Sequence, residues 1–255
     1  MQNGRQPSNH EMFLTMTRLV LIPGLACDSA MWRAQLAGLA RWNPVVTDAI
    51  ARADGIEDMA RLLLDEHPGP LVLCGASMGG MVAMAAARLA PQRIAGLALL
   101  GTNAGPDTPE MVALRTAAIE LFAQGRVREV IEPNIAMAFH PGNAPALAGA
   151  YLEQVLGAGA GPLIRQNRAV IARPDARPGL RTLRCPVLVL CGEADRLTPP
   201  ERSREIAALV PHARLVLVPR CGHMLTMEQP EAVNAELAAW LPSVIPAEPP
   251  LPLRP

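Results

Sequence analysis

Six short apolar runs alternate with helical patterns along the chain, and this alternation limits the possible folds more than any other feature. It is typical of a parallel sheet whose strands are joined by crossover helices. The runs are apolar at nearly every position, as expected for strands that helices cover on both faces. The predicted strands are Arg18–Ile22, Val45–Thr47, Leu71–Cys74, Ile94–Leu100, Val187–Cys191 and Leu215–Val218. The sequence therefore predicts an α/β fold with a mostly parallel, doubly wound sheet.

Helical patterns lie between these runs, and several of them stop at a proline, which cannot continue a helix. Pro91, Pro211 and Pro242 each follow closely on such a pattern. The helices predicted for the sheet layers are Ala30–Ala40, Ile56–Glu66, Met78–Ala90, Ser203–Val210 and Glu231–Trp240.

One long segment, residues 103–183, interrupts the alternation. It has no convincing strand, and helices are predicted at Pro109–Ala123, Arg126–Ala138 and near Pro162–Ala172. An insertion of this length between two strands of a sheet is well placed to cover a site. We therefore expect residues 16–102 and 184–242 to form an α/β core and residues 103–183 a helical cap or lid. The remaining segments, residues 1–15 and 243–255, are expected to be flexible tails.

Composition narrows the possible functions. Half of the 255 residues are hydrophobic, which is enough for a large core, and 23 basic residues balance 23 acidic ones. A net charge of zero gives no electrostatic reason to expect a nucleic acid or an anionic membrane as partner. All the basic residues are arginine, which together with abundant Ala, Gly and Pro indicates a GC-rich bacterial genome.

The five cysteines and the polar N-terminus indicate the cellular compartment in which the protein is expected. Cys27, Cys74, Cys185, Cys191 and Cys221 have no CxxC spacing, so no metal site or redox motif is predicted. Several of these cysteines lie in apolar runs, and reduced thiols of a cytoplasmic protein are the natural interpretation. We expect no signal peptide and no membrane span, because the chain has neither an N-terminal apolar segment nor a long uncharged one.

The stretch LVLCGASMGG places one hydroxyl, that of Ser77, at the end of a buried strand and the start of a helix. The pattern Gly75-x-Ser77-x-Gly79 in that context is typical of a nucleophile held on a tight turn, with glycines where neighbouring chains approach. A glycine-rich turn of a nucleotide-binding unit is the alternative. However, neither GxGxxG nor GxxxxGK[ST] is present.

A serine nucleophile needs a base, and five histidines are available: His10, His67, His140, His212 and His223. His223 directly follows the last predicted strand. Since parallel strands end at the same edge of a sheet, it should lie at the edge where Ser77 emerges. We therefore predict His223 as the base, with an ordinary surface-loop histidine as the alternative.

The base in turn needs a carboxylate to fix its tautomer. Asp195 follows another buried strand in the segment CGEADRLTPP, and we predict it as the third catalytic residue. Glu193 is the rival, and capping of the next helix is the structural alternative for Asp195. The chain order Ser77, Asp195, His223 is that of one hydrolase architecture and differs from the orders in chymotrypsin and subtilisin.

An oxyanion formed at Ser77 needs two N–H donors. The backbone N–H of Met78 is one candidate because it directly follows the nucleophile and begins a helix. The second candidate is the N–H of Leu25, in the loop after the first strand, where Gly24 allows the backbone to turn inward.

The motifs GASMGG, CGEADRLTPP and CGHMLTMEQP, in this order, resemble those of the α/β-hydrolase fold superfamily over roughly residues 18–241. The chain is most similar to small bacterial carboxylesterase-type members, including pimeloyl-carrier-protein methyl esterases and enol-lactone hydrolases. The resemblance implies a serine triad, no cofactor and a helical cap after the strand that ends near Leu100. One motif departs from the family, since many relatives have His-Gly where this chain has Pro23-Gly24.

The leading hypothesis is a serine hydrolase that cleaves carboxylic esters of small to medium acyl groups through an acyl-enzyme. Lactone, thioester or carbon–carbon bond hydrolysis and acyl transfer remain open, because one triad serves them all. A non-catalytic binding or signalling protein on the same scaffold is a further alternative. The partner is expected to be a small-molecule ester, and the oligomeric state stays open. The candidate pocket residues are Met81, Met111, Leu114, Phe122, His140 and Met224.

Overall fold

The structure is a computed structural model that describes residues 16–245. Flexible tails were predicted for residues 1–15 and 243–255; residues 1–15, with His10, and residues 246–255 lie outside the described residues. At the C-terminal end the packed part of the chain reaches Ile245, because Val244 is only 6% exposed and packs against the core. Residues 243–245 therefore belong to the core layer.

Six parallel strands form one sheet in the order β2-β1-β3-β4-β5-β6. Their bounds are β1 Arg18–Ile22, β2 Val45–Val46, β3 Leu71–Ala76, β4 Ile94–Leu100, β5 Val187–Gly192 and β6 Arg214–Val218. The predicted α/β fold with a parallel, doubly wound sheet is confirmed.

Helices cover both faces of the sheet. The elements of these layers are α1 Arg33–Gly38, α2 Ala49–Arg52, α3 Ile56–Glu66 and α4 Met78–Leu89 before the insertion. Five helices fall between β4 and β5: α5 Pro109–Ala123, α6 Val127–Ala138, α7 Ala144–Ala158, α8 Ala160–Ile171 and α9 Arg177–Leu180. The last three are α10 Pro200–Leu209, α11 Leu225–Glu228 and α12 Pro230–Trp240.

The central strands are buried on both faces because their alternate residues enter two different apolar clusters. Leu71 and Leu73 of β3 pack in the cluster that includes α3 and α4, whereas Val72 and Cys74 pack in the cluster that includes α12. Successive side chains of a strand point to opposite faces, so a strand covered on both sides must be apolar at every position. This requirement produced the uninterrupted apolar runs of the sequence.

Helices α5 to α8 of the insertion, called the cap below, share a small apolar cluster of their own. Phe122, Leu152, Val155 and Leu163 are buried there, and Ala26 of the loop after β1 belongs to the same cluster. The C-terminal end of the insertion returns to the main core, where Leu180 and Leu183 are buried. The cap therefore packs directly on the loop that carries the predicted oxyanion donor.

The four-residue helices α2, α9 and α11 were not predicted, and two longer helical predictions also differ from the structure. Helix α7 was not predicted, because Gly149 and Gly157 disfavour a helix in isolation. The helix predicted at Ala30–Ala40 is divided into a 3₁₀ turn at Ser29–Trp32 and α1. Between residues 16 and 245, none of the helices has the length and apolar character needed to cross a lipid bilayer.

Candidate active site

The carboxyl ends of four strands of the sheet, β1, β3, β5 and β6, lie at one edge and carry the predicted catalytic residues. Ser77 follows β3, Asp195 follows β5, His223 follows β6, and Leu25 follows β1. Open α/β sheets bind their ligands at this edge. The parallel topology thus places these residues, which are distant in the sequence, at one edge of the sheet.

Ser77 has a backbone conformation that residues other than glycine rarely adopt, with φ 52° and ψ −117°. Its N–H donates to the carbonyl of Leu100 at 2.8 Å, and the hydroxyl of Thr102 donates to the Ser77 carbonyl at 2.7 Å. Such a conformation persists only where the surroundings hold it, and it is common at active sites. The end of β4 therefore fixes the turn that presents the Ser77 side chain.

The glycines of the turn are required by close backbone approaches. A Cβ on Gly75 would lie 2.2 Å from the carbonyl oxygen of Gly79, and one on Gly79 would lie 2.1 Å from that of Ile22. A Cβ on Gly24 would lie 3.3 Å from the Cβ of Ser77. Gly75 thus allows the tight turn between β3 and α4, Gly79 allows this turn to approach the end of β1, and Gly24 lies directly beside the serine.

His223 and Asp195 form a buried pair. The distance between His223 Nδ1 and Asp195 Oδ2 is 2.8 Å, and their side chains are 7% and 0% exposed. The other carboxylate oxygen, Oδ1, accepts the backbone N–H groups of Leu197 and Thr198, both at 2.9 Å. With Nδ1 bonded to the carboxylate, Nε2 is the nitrogen left to act as a base. The rival Glu193 is exposed.

Thr198 is a member of this group that the sequence analysis missed. Its hydroxyl donates to Asp195 Oδ2 at 2.8 Å and lies 3.2 Å from His223 Nδ1. The Asp195 carboxylate therefore accepts four hydrogen bonds, which hold its orientation toward the imidazole. The signal in the sequence was a hydroxyl residue three positions after the aspartate, within DRLTPP.

Gly101 connects the serine turn to the His223–Asp195 pair. It follows Leu100, the residue that accepts the Ser77 N–H, and has φ 50°. A Cβ at Gly101 would lie 3.2 Å from Asp195 Oδ2 and 3.5 Å from His223 Nδ1. The end of β4 is thus in contact with both parts of the candidate site.

The loop after β1 presents backbone donors beside Ser77. Within residues 16–245, the N–H groups of Leu25 and Met78 have no hydrogen-bond acceptor. Their neighbours do have acceptors: Gly24 N–H contacts the sulfur of Met31 at 3.3 Å, and Cys27 N–H donates to Gly24 O at 3.1 Å. An anion at this position could accept two free donors, one of them at the N-terminus of α4.

A cap residue fixes the same loop. The side-chain oxygen of Gln166, on α8, accepts the N–H of Ala26 at 2.8 Å, and its amide nitrogen donates to Ile50 O at 3.2 Å. Ala26 has φ 61°, in the left-handed region that an alanine rarely adopts. Gln166 is 3% exposed, so the hydrogen bond is shielded from water. Nothing in the local sequence pattern pointed to Gln166.

The same loop carries a thiol, Cys27. Burial, and next the nearby charge of Asp28, raise the pKa of Cys27 to about 12. A thiol is nucleophilic only as a thiolate, so this one is inert near neutral pH.

A sequence profile of the alpha/beta hydrolase family matches residues 19–236. The chain belongs to this family. A pimeloyl-[acyl-carrier protein] methyl ester esterase of Aromatoleum aromaticum is 31% identical over 249 residues, covering 84% of this chain and 93% of that protein. A pimeloyl-[acyl-carrier protein] methyl ester esterase of Nitrosomonas europaea is 26% identical, covering 84% of this chain and 91% of that protein.

Solved structures agree with this assignment. A thermophilic esterase from Thermogutta terrifontis superposes with a TM-score of 0.81 at 30% identity, covering 91% of both chains. An enol-lactonase from Burkholderia xenovorans has a TM-score of 0.78 at 23% identity, covering 89% of this chain and 91% of that one, and shares the fold. This alpha/beta hydrolase is therefore an enzyme with esterase-type relatives.

The candidate pocket residues of the hydrolase occupy different environments. Met111 and Leu114 on α5 are 39% and 64% exposed, and neither belongs to a buried apolar cluster of the described residues. Phe122 is buried within the cap cluster. Of the three candidates on α5, only Phe122, near the C-terminal end of the helix, is buried.

The remaining candidates lie nearer the core. Met81 lines a small cleft that also contains Met84, Asn103 and Arg173, and Met224 is buried beside the loop of His223. His140 lies between α6 and α7, where its Nδ1 accepts the N–H of Gly142 at 3.0 Å.

The histidines that were not chosen have other environments. His67 precedes β3, and its Nδ1 lies 3.4 Å from Arg18 Nη1 at the opposite edge of the sheet. His212 Nε2 lies 2.9 Å from Cys185 O. In the described part of the chain, no group of three or more His, Cys, Asp or Glu side chains could hold a metal ion.

Proposed function

We propose that the protein is a serine hydrolase that cleaves carboxylic esters of small to medium acyl groups, with Ser77, His223 and Asp195 as its triad. The observation that carries this proposal is the buried hydrogen bond between His223 and Asp195, at the same sheet edge as the strained turn of Ser77. The name of the Aromatoleum relative, a methyl ester esterase, supports an ester as substrate.

In the proposed mechanism, His223 Nε2 removes the proton from the Ser77 hydroxyl as its oxygen attacks the ester carbonyl carbon. The imidazolium that forms is stabilised by the carboxylate of Asp195, and the oxyanion accepts the N–H groups of Leu25 and Met78. The tetrahedral intermediate then breaks its bond to the alcohol oxygen, which takes the proton from His223. An acyl group remains attached to Ser77.

Water completes the cycle: it takes the place of Ser77 as the nucleophile, and the Ser77 oxygen becomes the leaving group. His223 takes a proton from the water as the water attacks the acyl carbon, and the second tetrahedral intermediate releases the acid. His223 returns that proton to the Ser77 oxygen. Each cycle consumes one ester and one water and yields one acid and one alcohol, with the enzyme unchanged.

An apolar substrate portion is supported by what lies above the oxyanion loop. Leu25 packs against the cap cluster of which Ala26 is a member, and Tyr151 and Ile135 border the same cluster. Burial raises the pKa of Tyr151, so its side chain stays neutral. Apolar walls with few polar groups suit the acyl part of an ester.

The test is the hydrolysis of p-nitrophenyl butyrate by Ser77→Ala. We expect kcat/KM to fall at least about 1,000-fold, since removal of a triad member leaves only the oxyanion hole and binding. Ser29→Ala, at an exposed serine, is the matched control and should retain activity. Turnover by Ser77→Ala equal to that of the natural enzyme would contradict the proposal.

The same triad could serve lactones, thioesters, carbon–carbon bonds or acyl transfer, and a substrate panel separates these reactions. Simple esters of short and medium chain length should give the highest kcat/KM.

The five cysteines, all free thiols, support a reducing cytoplasmic compartment.

A further inference from the structure

A second buried carboxylate lies next to the candidate triad and has no part in the mechanism above. Glu228 ends the short helix α11, five residues after His223, and is 8% exposed. No arginine or histidine side chain is among its hydrogen-bond partners in the described residues. A buried carboxylate without a cationic partner needs a full set of hydrogen-bond donors.

One oxygen of Glu228 binds the backbone on both sides of the proposed base. Oε1 accepts the N–H of Gly222 at 3.0 Å and the N–H of Met224 at 3.1 Å. These two residues flank His223. The direction in which the His223 side chain leaves the backbone is therefore set by two peptide units that bind the same oxygen atom.

The other oxygen binds the cap. Oε2 accepts the N–H of His140 at 2.8 Å and a side-chain N–H of Asn143 at 2.9 Å, both in the connection between α6 and α7. All four partners are donors. An ionised carboxylate can only accept hydrogen bonds, so both oxygens of Glu228 suit the donors that surround them.

The segment around His223 also contacts the cap directly. The His223 N–H donates to Ala138 O at 2.8 Å, at the C-terminal end of α6. A Cβ on Gly222 would lie 2.6 Å from the His140 nitrogen, so the two backbones are packed as closely as a glycine allows. The cap connection and the loop of the base thus form one hydrogen-bonded unit with Glu228 at its centre.

We propose that Glu228 is a positioning residue that holds His223 in line with Asp195 and couples the loop of the base to the α6–α7 connection of the cap. This inference rests on the proposed function, since it assigns a task to His223. It also implies that the cap is fixed at this corner, so any opening of the cap occurs elsewhere.

The first test is Glu228→Gln. The amide has almost the same shape, but its NH2 group would face two of the four donors, and at least two hydrogen bonds would be lost. We expect kcat to fall about 10- to 100-fold while KM changes less than about threefold, because the loss acts on the alignment of the base rather than on substrate binding. Glu231→Gln, at an exposed glutamate on the next helix, is the matched control and should behave as the natural enzyme. An unchanged kcat in Glu228→Gln would overturn the proposal.

A second readout does not depend on turnover. The Nδ1 proton that His223 shares with Asp195 should give a downfield proton NMR resonance in the natural enzyme and in Glu231→Gln. In Glu228→Gln this resonance should weaken or broaden, because a displaced imidazole exposes the proton to exchange with water. A resonance of unchanged position and width in Glu228→Gln would contradict the positioning role even if activity fell.

Two milder variants cover the case in which Glu228→Gln does not fold. Glu228→Asp keeps an acceptor at a shorter reach and should fall between the natural enzyme and the glutamine variant in kcat. Asn143→Ala removes its bonds to Glu228 and to Arg220 O but leaves the two N–H groups beside His223 bonded to Glu228. We therefore expect kcat to change less than about threefold while amide exchange at His140 accelerates. Natural-enzyme amide hydrogens of Gly222 and Met224 that exchange as fast as those of an unstructured peptide would also overturn the proposal.

Failure of this inference is distinguishable from failure of the proposed function. If the natural enzyme hydrolysed no ester and bound no serine-directed probe, the proposed function would fall. The NMR and exchange measurements would still report whether Glu228 holds His223.

Discussion

The backbone of Ser77 carries strain that the rest of the site must offset. A non-glycine residue in such a region costs about 1–3 kcal/mol. The hydrogen bonds from Ser77 N–H to Leu100 O and from the Thr102 hydroxyl to Ser77 O hold it there. The glycine spacing made the turn predictable from the sequence, whereas Thr102, 25 residues away, has no local signature.

A first prediction concerns Thr198, whose hydroxyl binds Asp195 Oδ2. Thr198→Val keeps the side-chain volume and removes this charge-assisted hydrogen bond, so the carboxylate is held less firmly against His223. We expect kcat for p-nitrophenyl butyrate to fall about 10-fold. Thr198→Ser, which keeps the hydroxyl, should retain most of the activity, and equal activities in the two variants would count against the assigned role.

A second prediction concerns the thiol beside the serine. Because the pKa of Cys27 is raised to about 12, the thiolate is scarce at neutral pH. Iodoacetamide at pH 7.5 should therefore leave Cys27 unmodified, as read by peptide mass spectrometry, and leave ester hydrolysis intact. Rapid alkylation of Cys27 with parallel loss of activity would show that the thiol is reactive.

At the scale of elements, helix α8 of the cap and the loop after β1 are joined by one side chain. Gln166→Met removes the acceptor of the Ala26 N–H while keeping a similar volume, so the loop can relax and move the Leu25 donor. We expect kcat to fall about 10-fold or more, since loss of one oxyanion donor lowers kcat by about 100- to 1,000-fold. Gln92→Met, at an exposed position, is the control. Unchanged kcat in Gln166→Met would show that the hydrogen bond from Ala26 to Gln166 does not position the oxyanion loop.

A buried ion pair joins the start of the cap to its end. Asp107 binds Arg173 at 2.8 Å and Arg115 at 2.7 Å, and the side chains of Asp107 and Arg173 are 5% and 3% exposed. Burial alone would raise the pKa of Asp107, but the hydrogen bond and charge of Arg173, with those of Arg115, lower it below its ordinary value.

Asp107→Asn should therefore destabilise the protein by about 3 kcal/mol at pH 7, because Arg173 stays buried without its partner. A carboxyl whose pKa is lowered on folding stabilises the fold above its ordinary pKa of 3.8, and this stabilisation is lost as the pH falls further. The unfolding free energies of the natural enzyme and Asp107→Asn should converge toward low pH in urea titrations. Asp65→Asn, at an exposed site, is the control, and a gap that does not narrow with acid would contradict the account.

Elements were predictable where burial determines their pattern and not where tertiary contacts override propensity. The strands were located to within two residues because both-face burial leaves uninterrupted apolar runs. Helix α7 was missed because Gly149 and Gly157 disfavour helices; Pro145 is tolerated because it lies in the first turn. Packing of Leu152 and Val155 in the cap cluster stabilises the helix despite these residues.

For the whole molecule, the parallel sheet explains why the residues of the candidate site could be predicted from the sequence but not the contacts around them. Strand ends meet at one edge, so Ser77, Asp195 and His223 could be chosen from their positions after strands. Two contacts that hold neighbouring loops come from the cap: Gln166 is 140 residues from its partner Ala26, and His140 is 88 residues from its partner Glu228. No periodicity or motif encodes pairings of this kind, and only the folded chain brings them together.

The central claim is that Ser77 is a nucleophile activated by His223. Its most direct test is mass spectrometry of the folded enzyme after reaction with a fluorophosphonate, which forms a stable bond to an activated serine oxygen. We predict a single adduct on the peptide that contains Ser77, absent in Ser77→Ala and formed far more slowly in His223→Ala. An adduct on another residue, or no adduct on folded natural enzyme, would contradict the claim.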